Sequence, residues 1–271
     1  FSNPDGVSRF ILDMIEDLKI HRVVLLFDEA AHTFDEIQQK SFFNFFKMLH
    51  GNKISVKAAV YPGITSYGGN FEVGHDAVRI SLGAFEENTP KGRQELVAHF
   101  RGLLEKRLKP AKFGSLMKKG EALDLAILCS NGNPRAFLQI ISKILAGSEI
   151  SKRSALKSVT DYMLEELTQY HLGLKDRLPR FKSHIELGMT FLKAHLVPEL
   201  QKKNQGKRED DVQTVYFTMD DGIPYKVTKA ISLLEYSGAI FAKSNVKTAG
   251  RRQARRYGLN LGLAAADKVF H

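Results

Sequence analysis

Apolar residues Phe10, Ile11, Met14, Ile15 and Leu18 recur at helical spacing, which predicts an amphipathic helix over about 8–19. Then Val23, Val24, Leu25, Leu26 and Phe27 run without alternation and end in Asp28 and Glu29. Such a run bounded by charge predicts a strand buried on both faces of a parallel sheet under helices. Phe42, Phe43, Phe45, Phe46, Met48 and Leu49 follow in a helical pattern over 36–49, dense enough in aromatics to be core. A second strand is expected at 56–61, ending in a turn that carries the hydroxyls of Thr65 and Ser66. After a Gly-rich loop at 67–75, a third short strand is expected at 77–82.

From Thr89 onward the pattern turns helical, at 95–108 and 121–128. Gly-Asn-Pro-Arg at 132–135 is built to start another helix, with Asn133 as N-cap and Pro134 in the first helical position. Residues 147–153 form a short polar linker and mark a domain boundary. Helices are expected at 155–170 and 183–203, then a charged loop at 202–211 and a short alternating strand at 212–219. Pro224 opens a helix over 225–236 that Gly238 stops. Two strands, 239–243 and 256–261, flank a basic loop, and the fold class is α/β.

Composition narrows the picture where it departs from the ordinary. The chain of 271 residues is long enough for two modest cores. Its apolar runs are too short to span a bilayer and no signal-peptide pattern opens it, so no membrane association is expected. Cys129 is the only cysteine, which excludes a disulfide framework and a zinc ribbon and suits a reducing cytoplasm. Nine histidines lack the spacing of a structural metal site. The net charge of +10 is uneven: residues 1–150 hold 19 basic against 17 acidic side chains, and residues 151–271 hold 21 against 13. A basic excess confined to one half points to a polyanion surface there.

The acidic pair carries the first candidate chemistry. Open α/β sheets bind ligands at the carboxyl ends of their strands, where Asp28 and Glu29 fall. A complete P-loop domain also needs G-x-x-x-x-G-K-[ST], which this sequence lacks; Gly206 and Lys207 are followed by Arg208 with no upstream glycine in place. Truncation of a longer protein is the expected reason, loss of nucleotide binding the alternative. A helicase D-E-x-H box is excluded because His32 stands one residue too far from Glu29. The order of strand with Asp-Glu, helix, strand with a polar tip, short strand and helical segment resembles the second half of an AAA+ or STAND-type ATPase core. The resemblance implies ATP and Mg²⁺ as cofactors, with Asp28 on the metal through water and Glu29 activating the attacking water. Thr65 or Ser66 matches the sensor-1 position, and Arg135 matches the lid arginine that reaches the phosphates as sensor 2. An arginine suits that role because it stays charged and forks onto phosphate oxygens.

Helix, helix, short strand, helix and hairpin in the second half resemble the winged-helix domains of origin-recognition initiator ATPases. The resemblance divides the chain into a partial P-loop ATPase core (1–88), a helical lid (89–150), and a helical linker with a winged helix (151–271). Lys243, Lys247, Arg251, Arg252, Arg255 and Arg256 lie within fourteen residues that contain no acid, a loading suited to phosphate contact. Tyr225, Lys226, Thr228 and Lys229 are offered by the first two turns of the recognition helix. The expected function is an ATP-dependent switch that couples nucleotide state to DNA binding, acting as a homo-oligomer or within a larger assembly. The alternatives are a non-catalytic adaptor that binds DNA or protein, and a scaffold subunit of a bacterial defence or signalling complex.

Overall fold

The computed structural model describes residues 3–30, 34–61, 64–80, 89–208, 211–220, 222–247 and 253–270. The chain divides into two units, Phe1–Ile80 and Ser81–His271.

In the first unit, Asn3 caps α1 (Pro4–Asp17) by accepting the Asp5 N–H, and Pro4 occupies the first turn, where its missing N–H costs nothing. Strand β1 (Val23–Phe27) leads to α2 (Glu36–Leu49), capped by Asp35, and then to β2 (Ile54–Ala58). The strands pair in parallel from Val23 against Ile54 to Phe27 against Ala58. Ile11 and Ile15 of α1 pack on Ile54, with Val23, Leu25 and Val56 around them. Phe43 and Phe46 of α2 pack with Phe71, Phe27 and Val56. Both helices therefore cover the face formed by Val23, Leu25 and Phe27. Val24 and Leu26, on the other face of β1, are 48% and 75% exposed. The expectation of a strand buried on both faces is corrected: among the described residues, β1 has one parallel neighbour and one covered face. The expected third strand is corrected too. Residues 77–80 form no strand, and Val73 and Ala77 make only an isolated parallel bridge; residues 81 and 82 lie outside the described residues. The loop is held by Lys47, whose ammonium donates to the Asn70 carbonyl at 3.1 Å and pairs with Asp76 at 2.9 Å.

In the second unit, helices α3 (Pro90–Arg107), α4 (Pro110–Met117), α5 (Gly120–Cys129) and α6 (Pro134–Ala146) come first. Helix α7 (Lys152–Asp161) continues through a π turn, Tyr162–Leu167, into α8 (Thr168–Arg177). A 3₁₀ turn, Pro179–Phe181, leads to α9 (Lys182–Thr190), a second π turn, Phe191–Leu196, and α10 (Val197–Asn204). The remainder is β3 (Tyr216–Asp220), α11 (Tyr225–Ser237), β4 (Ile240–Lys247), β5 (Gln253–Leu259) and α12 (Leu261–Ala266). Its sheet is antiparallel in the order β3-β5-β4. The expected strands at 212–219, 239–243 and 256–261 thus begin or end several residues away from the observed ones. One apolar cluster runs through the unit, from Leu96, Phe100 and Phe137 to Ile231, Leu259 and Val269. Residues on both sides of 147–153 contribute to it.

Two close approaches set the frame around α11. Gly188 of α9 lies against Ala230 and Leu234, where a Cβ would meet the Ala230 carbonyl oxygen at 3.2 Å. His171 of α8 is fully buried, with Nδ1 2.9 Å from the Ser237 hydroxyl and Nε2 3.2 Å from the Ile185 carbonyl. A carbonyl only accepts, so Nε2 carries the proton, while the Ser237 hydroxyl beside Nδ1 also donates to the Leu234 carbonyl at 3.0 Å. At the far end of α11, Gly238 takes the left-handed conformation (φ +81°) that ends the helix and turns the chain into β4.

Candidate functional site

The carboxylate edge of the parallel pair is built by the end of β1. The Phe27 carbonyl accepts from Ala59 N–H at 2.8 Å, so pairing extends to the last apolar residue. Asp28 and Glu29 follow, both exposed. Asp28 Oδ1 accepts the Glu29 N–H at 2.9 Å, and Glu29 has φ +56°. For a residue with a Cβ that left-handed conformation costs roughly 1–2 kcal/mol. Ala31 and His32 lie outside the described residues.

The polar tip after β2 resolves into two different positions. The Thr65 hydroxyl donates to the Tyr61 carbonyl at 2.7 Å and accepts the Tyr61 N–H at 3.2 Å, closing the turn on itself. Ser66 donates its backbone N–H to Gln39 Oε1 at 2.6 Å, and its hydroxyl has no hydrogen bond among the described residues. Gln39 escapes sequence reasoning because it sits on the apolar face of α2, in step with Phe43 and Phe46. A polar residue within an apolar stripe is the one signal that marks it.

Two carboxylates at a strand edge can hold a hydrated metal ion and orient a water. The loop that would cradle phosphates is not in the sequence. Among the described residues no group of three or more His, Cys, Asp or Glu side chains gathers as a metal site. Arg135 belongs to the second unit, where Asn133 Oδ1 accepts the Arg135 and Ala136 N–H groups at 2.9 and 3.2 Å. Its side chain is exposed at the first turn of α6. Cys129 is buried core, with burial pushing its thiol up to about 12, so it is no nucleophile.

The cationic set of the second unit divides by position. Lys226 in the first turn of α11, Lys247 at the end of β4 and Arg256 in β5 are exposed. In the ladder Arg256 stands between Thr218 of β3 and Ser244 of β4, a short polar frame around a long cation. Lys243 occupies an irregularity between Ala242 and Ser244, with its ammonium 4.9 Å from the Phe241 ring centre. Arg255 keeps 43% of its side chain exposed, with Nη2 3.8 Å from the largely buried Glu235 carboxylate and Cζ 5.4 Å from the Tyr257 ring centre. Lys229 is the correction: it is 8% exposed, and its ammonium lies 5.0 Å from the Phe181 ring centre, so it is not open to a groove. Arg251 and Arg252 lie outside the described residues.

No helix of the described residues is long and apolar enough to cross a membrane. Comparison with protein-family models, with curated proteins and with solved structures gives no match.

Proposed function

We propose that this chain is the sensing and DNA-contacting part of an ATP-dependent switch of the AAA+/STAND class. The observation that carries the DNA half is the succession of α11 and the β4–β5 hairpin, with exposed cations at Lys226, Lys247 and Arg256. A helix for the groove and a charged hairpin beside it are what a winged helix offers to duplex DNA. Phosphate contacts from these cations would supply sequence-independent affinity and a steep dependence on salt.

The nucleotide half rests on the acidic edge. Asp28 would hold a metal-bound water, Glu29 would orient the attacking water, and Ser66 would sense the phosphates. Mg²⁺ bound with ATP would supply positive charge at the phosphate oxygens. The left-handed backbone at Glu29 supports a functional role, since strain of this kind is kept where geometry matters to chemistry. The uncovered face of β1 at Val24 and Leu26 offers a place for the strands and helices of a phosphate-loop half to pack. Such ATPases act as oligomers, and loss of the γ-phosphate would shift the lid and with it the winged helix.

The test is a titration of labelled duplex DNA with the 271-residue chain at several salt concentrations. Its partner is a variant with Lys247, Arg251, Arg252 and Arg256 changed to Ala, which leaves Arg255 on Glu235. Binding is expected to weaken steeply with salt, and the variant to lose about 0.9 of logarithmic slope per contact removed. Absence of binding at low salt would turn the hairpin into a protein contact and favour the adaptor or scaffold. For the nucleotide half, Glu29→Gln in a protein that includes a phosphate loop should keep ATP binding and abolish turnover. Lost binding would instead remove Glu29 from the catalytic role.

A further inference from the structure

Helix α4 carries a run of charge that neither the hairpin nor the acidic edge uses. Lys106, Arg107, Lys109, Lys112, Lys118 and Lys119 lie within fourteen residues that contain no acid, and all six are exposed. None of their side chains forms an ion pair or hydrogen bond among the described residues. Glu105 and Glu121 border the run and pair with none of these cations, so residues 105–121 hold six cations against two acids. Asp124, the next acid along α5, lies 3.8 Å from Arg101. Leu116 is fully buried, and Phe113 and Met117 pack against the same core, which fixes the inner face of α4. Ala111, Lys112, Ser115 and Lys118 stand on the exposed face. Local stability does not account for these lysines. Lys109 is the N-cap of α4 and Lys119 the N-cap of α5, and neither side chain makes a capping hydrogen bond. Ser, Thr, Asp or Asn would satisfy the open N–H groups at both places. A cation at a helix start also opposes the macrodipole, and Lys112 stands in the first turn of α4 as well. Lys106 and Arg107, in the last turn of α3, are favourably placed by the same dipole; Lys109, Lys112 and Lys119 are not. Residues that break a local rule in this way are kept where function gains from them.

We propose that Lys109, Lys112, Lys118 and Lys119, on and beside α4, form a second contact for duplex DNA, in a part of the unit that packs on α3 and α5. The proposal deepens the DNA-binding reading and rests on it for the identity of the partner. The composition of the surface selects phosphate. A protein partner needs apolar or aromatic anchors, and lysine is depleted at such interfaces. Residues 105–121 expose no large apolar side chain. A helix that lies in a membrane surface needs the same anchors. A nucleic-acid backbone asks only for clustered, unpaired cations, which is what α4 presents. Ala111 and Ser115, the small residues of the exposed face, let that backbone approach the helix closely. Lys109 and Lys118 are nine residues apart, or about 14 Å along the axis, a length that covers roughly four successive phosphates of one strand. The nearly even charge of residues 1–150 conceals this run, because acids elsewhere in the same residues offset it.

The test uses the full chain, labelled duplex DNA and a series of salt concentrations, with three variants read by fluorescence anisotropy. K109S/K112Q/K118Q/K119S removes the four cations and places serine at both N-caps. K109R/K112R/K118R/K119R keeps the charges, and K247A/R251A/R252A/R256A empties the hairpin. Expected for the first variant are binding weaker by about tenfold or more and a logarithmic salt slope shallower by roughly three to four, with the arginine variant binding like the parent. Its melting temperature should equal or exceed that of the parent chain, because the serines cap both helices, so weaker binding cannot come from lost fold. If the first variant keeps the parent's affinity and slope while the hairpin variant weakens, the α4 contact is overturned and the hairpin reading stands. If the hairpin variant binds like the parent while the first variant weakens, the α4 contact stands and the hairpin reading falls. If the parent chain fails to bind duplex DNA at low salt, both are overturned. Binding to phosphatidylserine vesicles that the first variant loses would then make α4 a membrane contact.

Discussion

Single residues in this chain hold strained or crowded positions whose cost is measurable. Glu29 sits at φ +56°, and Glu29→Gly should raise the stability of the first unit by about 1 kcal/mol, since glycine takes that conformation without a Cβ clash. Chemical denaturation of the two forms measures it; a loss of stability would mean that the Glu29 side chain makes a contact worth more than the strain. Gly258 is the reverse case. A Cβ there would fall far inside van der Waals contact with the Phe241 ring, so Gly258→Ala must displace that ring. Destabilisation of about 1–3 kcal/mol is expected from such overpacking. His171 couples the second unit to pH. Its folded pKa is lowered, by burial above all, against an unfolded value near 6.5. The neutral ring is therefore the native form, and its contribution is present above about pH 6.5 and lost as pH falls below it, because the unfolded chain takes up the proton first. Melting temperatures at pH 7.5 and 5.5 should differ by more in the parent chain than in His171→Gln. Equal differences would place the acid sensitivity elsewhere.

At the scale of elements, caps and faces decide which segments are regular. Asn133 accepts two backbone N–H groups at the start of α6, so Asn133→Ala should cost about 1 kcal/mol in the stability of the second unit. Most of this was readable in the chain: α2 spans 36–49 as its aromatic spacing predicts, α6 starts at Pro134 with Asn133 as its cap, and α11 starts at Tyr225, directly after Pro224. Strand edges were read less well. The β4–β5 hairpin extends to Lys247 and Gln253 because polar and charged residues pair in a ladder as well as apolar ones do, which alternation does not reveal. The burial of β1 was misread for a related reason: an unalternating run states what a strand can bury, while the neighbours present decide what it does bury. Leu26, at 75% exposure, should tolerate Leu26→Ser within about 0.5 kcal/mol, whereas Phe43→Ala, in the core of the same unit, should cost about 3–5 kcal/mol.

Across the whole molecule, two units fold around separate apolar clusters, and the larger cluster joins α3–α6 to α11, β5 and α12. Periodicity and capping in the sequence alone determined most helices, the parallel pair's first strand with its acidic end, the basic bias of the second half and the place of the hairpin. These are local properties, set by residues within a few positions of one another. The tertiary structure alone decided that Lys229 lies on Phe181 instead of facing solvent, that Thr65 closes on Tyr61, and that Arg255 reaches Glu235. Each of these depends on which helix face meets which neighbour, and a charged side chain carries the same formal charge in sequence whether a ring, a carboxylate or water surrounds it.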